Sequence, residues 1–381
     1  MEGFVLRSSV PTLPSRTVLL PMARSMKKKI DEKELANHLT TLLKVQITVK
    51  DVAFLGEGWH NIGYMVTYLQ EGEEKRVVLR IAKGKELGHE YPADRARLFL
   101  MQHYHAKFIP SHIASLDVGC VMKGGKLNSL SSSEDFFQLV EEVKGEPYYK
   151  DLIRIRETGL ITPEDKKKTM MLSDYLIDLH GQEYQGSDNE ILSLKRRHTR
   201  DCIGHGEMFI GVIDTYPDTT SFVTKEELIA IAQRMIALRE EVKDKVDLCR
   251  MHGDFHPGNL FFTGKGVTVL DASRALWGSA ADDVSCLGIN YLWYALMHTG
   301  SFSGPFMDLF SAYWENYEKK THRKDLPEVS PLFFAFRGVV IAHPLFYPEQ
   351  GDTVRKNVMR FIKNVLKAGT FDHHKVKSYL S

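Results

Sequence analysis

The stretch Cys249-Arg-Met-His-Gly-Asp-Phe-His-Pro-Gly-Asn-Leu-Phe-Phe262 crowds His252, Asp254, His256 and Asn259 into one tight turn ahead of an apolar run. Such crowding has three readings: metal binding, acid–base chemistry, or polar capping of a buried loop. The residues that follow help to choose. A glycine turn leads into Val267-Thr-Val-Leu-Asp271, an apolar strand that ends on a carboxylate. Asp271 then emerges beside the 252–259 turn, and Asp254, Asn259 and Asp271 can converge. Hard oxygen ligands of this kind suit Mg²⁺, which keeps some waters and completes its shell with phosphates. The set makes sense for phosphoryl transfer, where one carboxylate faces the attacking hydroxyl and the other groups hold metal on the leaving phosphates.

The rest of the chain is compatible with an enzyme of this kind. It has 381 residues, 43% of them hydrophobic and 26% charged, an ordinary globular composition long enough for two lobes. The formal net charge of +1 supplies no strong field for nucleic acid or a membrane surface. No apolar run approaches the roughly 18 residues of a membrane span. The best run, Leu332 to Ala342, is broken by Arg337 and reads as a core helix. Cys120, Cys202, Cys249 and Cys286 are scattered without a CxxC pair, which argues against a disulfide framework or zinc ribbon and for reduced thiols in a cytoplasmic protein. From Gly3 to Lys29 there is no acid but there are several basic residues and serines. That composition resembles a transit peptide, while Pro11 and Pro14 favour a disordered basic arm.

Patterning predicts an α+β architecture. Asp31 to Leu43 has helical spacing. Val52–Leu55, Tyr64–Tyr68 and Arg76–Ile81 read as strands separated by glycine-bearing turns. A helix is expected over Glu86–His105, then strands over Leu116–Met122 and Asp135–Val143 around a Gly/Ser-rich loop. Beyond Gly145 the chain reads as mainly helical. Thr162-Pro-Glu-Asp165 and Thr224-Lys-Glu-Glu227 are helix-opening signals. Short strands return at Leu260–Phe262 and Val267–Leu270. The expected organisation is a basic arm and leading helix over 1–45, a five-strand antiparallel nucleotide-binding lobe over 46–143, and a larger helical catalytic and substrate lobe over 144–381.

The segments His252-Gly-Asp-Phe-His-Pro-Gly-Asn259, Leu270-Asp271 and Trp277-Gly-Ser-Ala-Ala-Asp-Asp-Val284 together resemble the aminoglycoside phosphotransferase and choline kinase superfamily, which has the protein-kinase-like fold. The spacing Asp-x-x-x-x-Asn is that of the kinase catalytic loop. His256 stands where protein kinases usually carry lysine, which points to the small-molecule branch. The resemblance implies a bilobal enzyme that moves the γ-phosphate of ATP, with Mg²⁺, to a hydroxyl of an aminoglycoside, amino alcohol or sugar-like acceptor. Asp254 is then the catalytic carboxylate, and Asn259 and Asp271 are the metal ligands. The resemblance extends to Leu55-Gly-Glu-Gly-Trp-His-Asn-Ile-Gly63, whose Gly56, Gly58 and Asn61 would cover the nucleotide, and to Val78-Leu-Arg-Ile81, whose Arg80 would pair with phosphate. Glu90 on the next helix is the expected partner of Arg80, with Glu86 and Asp94 as alternatives. Phe136 to Gly145 resembles the last strand plus hinge, where the backbone of Glu141 and Val143 would hold adenine. Met171 to His180 matches a helix ending in Leu-x-x-Leu-His, so the likeness spans about residues 45 to 320.

The pattern has departures. Asp271-Ala-Ser-Arg274 lacks a second acid, so Arg274 either faces substrate or pairs with Asp283. Asp283 is either a helix cap or, as in the family, a brace for the catalytic loop. His252 reads as structural, and His256 as either structural or an active-site contact. Residues 195–207 match no specificity motif, and the Arg/His cluster at 195–200 and His205 read as a solvated face. Tyr291, Trp293 and Tyr294 read as core. Three other functions compete. A metallohydrolase on His252, Asp254 and His256 would need no glycine loop, and a nucleotide-binding pseudokinase is opposed by the intact Asp254, Asn259 and Asp271. A protein kinase is disfavoured by His256 and by the lack of an Ala-Pro-Glu segment after Asp271. The acceptor, the choice between ATP and GTP, and the oligomeric state are not specified by these motifs.

Overall fold

Asp31 opens the first helix among the described residues: its Oδ1 accepts hydrogen bonds from the amides of Lys33 and Glu34 at 2.8 and 3.3 Å, satisfying donors that a helix start leaves unpaired. The computed structural model describes residues 31–381 apart from 59, 60, 84–87, 265 and 273, so the basic arm 1–30 lies outside the described residues. The chain divides into two units, Met1–Leu139 and Val140–Ser381.

In the smaller unit, helix α1 (Glu32–Leu43) precedes strands β1 (Ile47–Glu57), β2 (Asn61–Gln70) and β3 (Glu73–Ala82). The strands form an antiparallel sheet in the order β1-β2-β3. The β2–β3 hairpin turns on Glu71 and Gly72, both at positive φ, the geometry that matches strand twist. Ile62, Tyr64, Val66 and Tyr68 alternate along β2 and are buried with Leu35 and Leu39 of α1, so one sheet face and one helix stripe make this core.

Two expectations for this unit are corrected. Helix α2 runs over Pro92–Ala106, not from Glu86. Pro92 suits the first helical position because it has no amide to leave unpaired, and Asp94 Oδ2 accepts from Tyr91 N at 2.8 Å to close the first turn. The sheet has three strands rather than five. β4 (Gly119–Val121) and β5 (Leu127–Ser129) pair only with each other, and residues 135–143 form no strand. The apolar run there lacks a neighbouring strand to satisfy its backbone, and Phe137 and Leu139 are each 88% exposed.

The larger unit begins with β6 (Glu146–Pro147) and helices α3 (Tyr148–Thr158), α4 (Pro163–His180), α5 (Asp188–Gly204), α6 (Phe209–Ile213) and α7 (Lys225–Val242). Thr162 and Thr224 cap α4 and α7 through capping boxes, as their sequences predict. Short strands β7 (Leu248–Arg250), β8 (Leu260–Thr263), β9 (Gly266–Val269) and β10 (Trp277–Ser279) follow. The chain closes with α8 (Ala280–Thr299), α9 (Pro305–Thr321), α10 (Leu326–Ile341), α11 (Asp352–Ala368), a 3₁₀ turn at His373–Lys375 and α12 (Val376–Tyr379). Helix α8 is buried from Ala280 through Leu296, and α10 is buried over most of its length. Helices apolar on all sides belong at the centre, and the Tyr291, Trp293 and Tyr294 aromatics are core.

Candidate active site

The polar turn is fastened from below by one carboxylate. β7 pairs antiparallel with β10, and α8 starts immediately after β10. Its first turn therefore sits under the chain leaving β7. Asp283 accepts from His252 N through Oδ2 and from Gly253 N through Oδ1, each at 2.7 Å. His180, the last residue of α4, adds a third bond from Nε2 at 3.1 Å, and its Nδ1 lies 2.7 Å from Tyr317 Oη. Burial pushes the Asp283 carboxyl up, but the His180 hydrogen bond and charge and the loop amide bring it below the ordinary aspartate value. The helix cap is Ser279, whose Oγ accepts from Ala281 N at 3.2 Å, so Asp283 is the loop brace and not the cap.

The turn then folds on itself. His252 Nε2 donates to Leu270 O at 2.8 Å, and its Nδ1 accepts from Asp254 N at 3.2 Å. With both ring nitrogens engaged, His252 is structural and no metal centre on His252, Asp254 and His256 is available. His256 Nδ1 accepts from Gly258 N at 3.1 Å, and burial lowers the pKa of its ring, so it is a neutral imidazole with Nε2 left over. Gly253 has φ +87°, a left-handed conformation that favours glycine where both its amide and its carbonyl are committed.

Asn259 and Asp271 meet at the mouth of the β8–β9 hairpin. Leu260 pairs with Val269, and Leu270 N donates to Asn259 O at 2.9 Å, which sets Asp271 next to Asn259. Asn259 Nδ2 donates to Asp254 O at 3.0 Å, leaving Oδ1 for a cation. Asp271 is exposed, has φ +55°, and accepts no hydrogen bond among the described residues. A strained, unpartnered carboxylate beside a free amide oxygen fits a hard divalent ion such as Mg²⁺.

Asp254 is held by two guanidinium groups. Arg337 Nη1 donates to Oδ1 at 2.5 Å, and Arg274 Nη2 lies 3.3 Å from Oδ2. Burial raises the carboxyl, but Arg337 and Arg274 outweigh it, and Asp254 stays below the usual aspartate range. Arg337 Nη2 also donates to Gly253 O and to Asp282 Oδ1, both at 2.7 Å. Asp282 in turn lies 3.3 Å from His198 Nε2, and His198 Nδ1 accepts from Ser279 N at 2.9 Å.

Several expectations change here. Arg274 pairs with Asp254 and not with Asp283, whose oxygens are taken by the loop amides and His180. The cluster at 195–200 is not all solvated, because His198 is buried against Asp282 and stacks on Phe333. Arg337 was missed as a site residue. Its signal was present, since a lone arginine inside an apolar helix must find a buried partner.

In the smaller unit, Gly56, Gly63 and Arg80 form one cross-strand row. Beside Arg80 the sheet is bare backbone, and a Cβ at Gly56 would meet nothing within 4 Å. Gly58 N donates to Asn61 O at 2.9 Å and closes the β1–β2 turn, whose Trp59 and His60 lie outside the described residues. The hydrogen bond of Arg80 goes to Gln102 Oε1 at 3.3 Å, with the guanidinium 5.8 Å from the Phe99 ring. Glu90 is not its partner. The later start of α2 leaves Glu90 in the preceding loop, where it accepts from Gly88 N at 3.4 Å. Asp94 is used as the helix cap, and Glu86 lies outside the described residues. Arg80 and Glu90 both line a cavity of about 2180 Å³. Glu141 and Val143 lie in the segment that forms no strand, exposed and half-buried respectively.

Residues 217–323 match the phosphotransferase enzyme family. The matched span contains Asp254, Asn259, Asp271, Arg274, Asp282 and Asp283, while Arg337 lies beyond it. The resemblance carried by the polar turn and the second aspartate is thereby borne out over this segment. Solved structures similar to the chain include an amicoumacin kinase in complex with AMP-PNP and Ca²⁺, at 15% identity and a TM-score of 0.39, covering 92% of this chain and 99% of the other. A choline kinase from Cryptosporidium parvum Iowa II matches at 12% identity and 0.30, covering 96% and 92%. A Plasmodium vivax ethanolamine kinase matches at 11% and 0.33, covering 86% and 80%. No curated protein sequence matches the chain. Among the described residues, no helix is long and apolar enough to cross a membrane.

Proposed function

We propose that the chain transfers the γ-phosphate of ATP to a hydroxyl group of a small molecule. The observation that carries this reading is the Asp254 carboxylate, held ionised by Arg337 and Arg274 one turn away from the Asn259–Asp271 pair. Asp254 orients the acceptor hydroxyl and takes its proton late. Two guanidiniums make it a weak base, which is tolerable because phosphoryl transfer through a loose transition state asks more for positioning than for deprotonation. Asn259 and Asp271 hold Mg²⁺, which neutralises charge on the nucleotide phosphates. Arg80 and the bare backbone of the Gly56–Gly63 row serve the phosphates, and the backbone at Glu141 and Val143 serves adenine. Aminoglycosides, amino alcohols and sugar-like molecules are the acceptor classes.

The test is a screen of hydroxylated metabolites and antibiotics for acceptor-dependent ATP consumption, repeated with Asp254→Asn. Substitution should lower kcat by about 10²–10⁴ with ATP affinity little changed. Acceptor-dependent turnover that survives in Asp254→Asn would overturn the assignment.

A further inference from the structure

A second cluster of ligating side chains lies far from the polar turn in sequence, at the C-terminal end of the larger unit. Glu315 projects from the second half of α9, and His373 and His374 come from the 3₁₀ turn. One carboxylate oxygen and one nitrogen from each ring lie within 4.8 Å of one another. Backbone geometry brings the two histidines together: Asp372 Oδ1 accepts from His374 N at 3.0 Å, and the two ring centroids are 3.8 Å apart.

His373 is the decisive member. Its side chain is only 6% exposed, and Nε2 is buried without a hydrogen-bond partner among the described residues. A buried polar atom left unsatisfied carries a desolvation cost that a ligand would relieve. Its other nitrogen, Nδ1, faces Glu318 Oε2 at 3.3 Å, one helical turn from Glu315. A carboxylate on Nδ1 that leaves Nε2 unengaged is the arrangement that orients a metal-binding histidine and strengthens it as a donor.

We propose that Glu315, His373 and His374 form a site for a divalent transition cation of the zinc class. Two imidazoles and a carboxylate suit Zn²⁺, with water in the fourth position, and do not suit Mg²⁺, which prefers an all-oxygen shell. Glu318 is the positioning residue for His373. The ion ties the C-terminal segment to α9, where Trp314 and Phe371 already pack at 4.9 Å between centroids.

The experiment titrates Zn²⁺ into the full chain by calorimetry with Mg²⁺ in excess, and follows Co²⁺ binding by its visible absorption. The expected result is one Zn²⁺ per chain and a rise in Tm on binding. Glu315→Gln and His374→Ala, both at exposed positions, should each weaken Zn²⁺ at least about tenfold and abolish the Tm rise, and Glu318→Gln should weaken it by about 10–100-fold. Asp271→Asn should bind Zn²⁺ as the parent does. No Zn²⁺ binding, or binding undiminished in both Glu315→Gln and His374→Ala, would overturn the proposal.

Discussion

Arg337 Nη1 stands 2.5 Å from Asp254 Oδ1, and Nη2 of the same side chain is 2.7 Å from both Gly253 O and Asp282 Oδ1. One residue of a core helix, 83 positions downstream, therefore fixes the side chain of the candidate catalytic aspartate and the backbone beside it. It also stands between the half-buried Asp254 and the buried Asp282, neutralising charge that the two carboxylates would otherwise leave unopposed. The planar fork is what allows three acceptors to be served at once.

Replacing Arg337 by methionine keeps the volume but leaves Asp254 and Asp282 without their shared cation. Breaking a buried ion pair from one side costs about 3–5 kcal/mol, so Arg337→Met should lose stability on that scale in urea unfolding. Arg337→Lys keeps the charge without the fork and should fall between the two. A methionine variant as stable as the parent would show that the pair is not structural.

Arg274 offers a gentler test, since it is partly exposed and is the second cation on Asp254. Asp254 has a depressed folded-state pKa. Its ion pairing therefore contributes stability that is present above the unfolded-state value and lost as pH falls through the folded one. Turnover of the parent should show no Asp254 titration down to about pH 5, given an unperturbed aspartate near 3.9. Arg274→Ala removes one stabilising charge, so the acid limb of the kcat profile and the onset of acid unfolding should both move to higher pH. Superimposable profiles would remove Arg274 from this role.

Asp283→Ala should be among the most damaging changes in the larger unit. It strands the amides of His252 and Gly253 together with His180 Nε2, all buried. At about 1–3 kcal/mol per unsatisfied buried group, the variant should unfold well before the parent in denaturant. Asp283→Asn keeps one acceptor oxygen and should lose less.

The Asn259–Asp271 pair predicts a different signature from Asp254. Asp271→Asn and Asn259→Ala should weaken Mg²⁺–ATP binding in calorimetry as well as turnover, because they remove groups assigned to the metal. Asp254→Asn should leave that affinity intact while kcat falls. Equal nucleotide binding by all three variants would mean that the hairpin mouth does not hold the ion.

Much of this site is legible in the sequence because it is local. Gly253, Pro257 and the spacing from Asp254 to Asn259 specify a turn, and the β8–β9 hairpin delivers Asp271 beside it. Asp31, Thr162 and Thr224 announce their helices for the same reason: a cap is settled within four residues. Where local signals conflicted, the nearer constraint won. Pro92 and Asp94 start α2 late and leave Glu90 off its face, despite helical spacing that begins earlier.

The sequence by itself determined the order of the polar turn, the second aspartate and the acidic helix start, and with them the match of residues 217–323 to the phosphotransferase enzyme family. Tertiary structure alone decided which partners each carboxylate receives. Asp254 takes Arg337 and Arg274, Asp282 takes Arg337 and His198, and Asp283 takes two amides and His180. Those pairings span between 20 and 103 positions of chain, taking Arg274 with Asp254 as the shortest and His180 with Asp283 as the longest. A hydrogen bond needs its partners within about 3 Å, and only the packing of α4, α5 and α10 around the start of α8 brings such distant residues that close. The unpaired segment 135–143 makes the same point in reverse, since a strand needs a neighbour for its backbone and β-forming residues alone do not provide one.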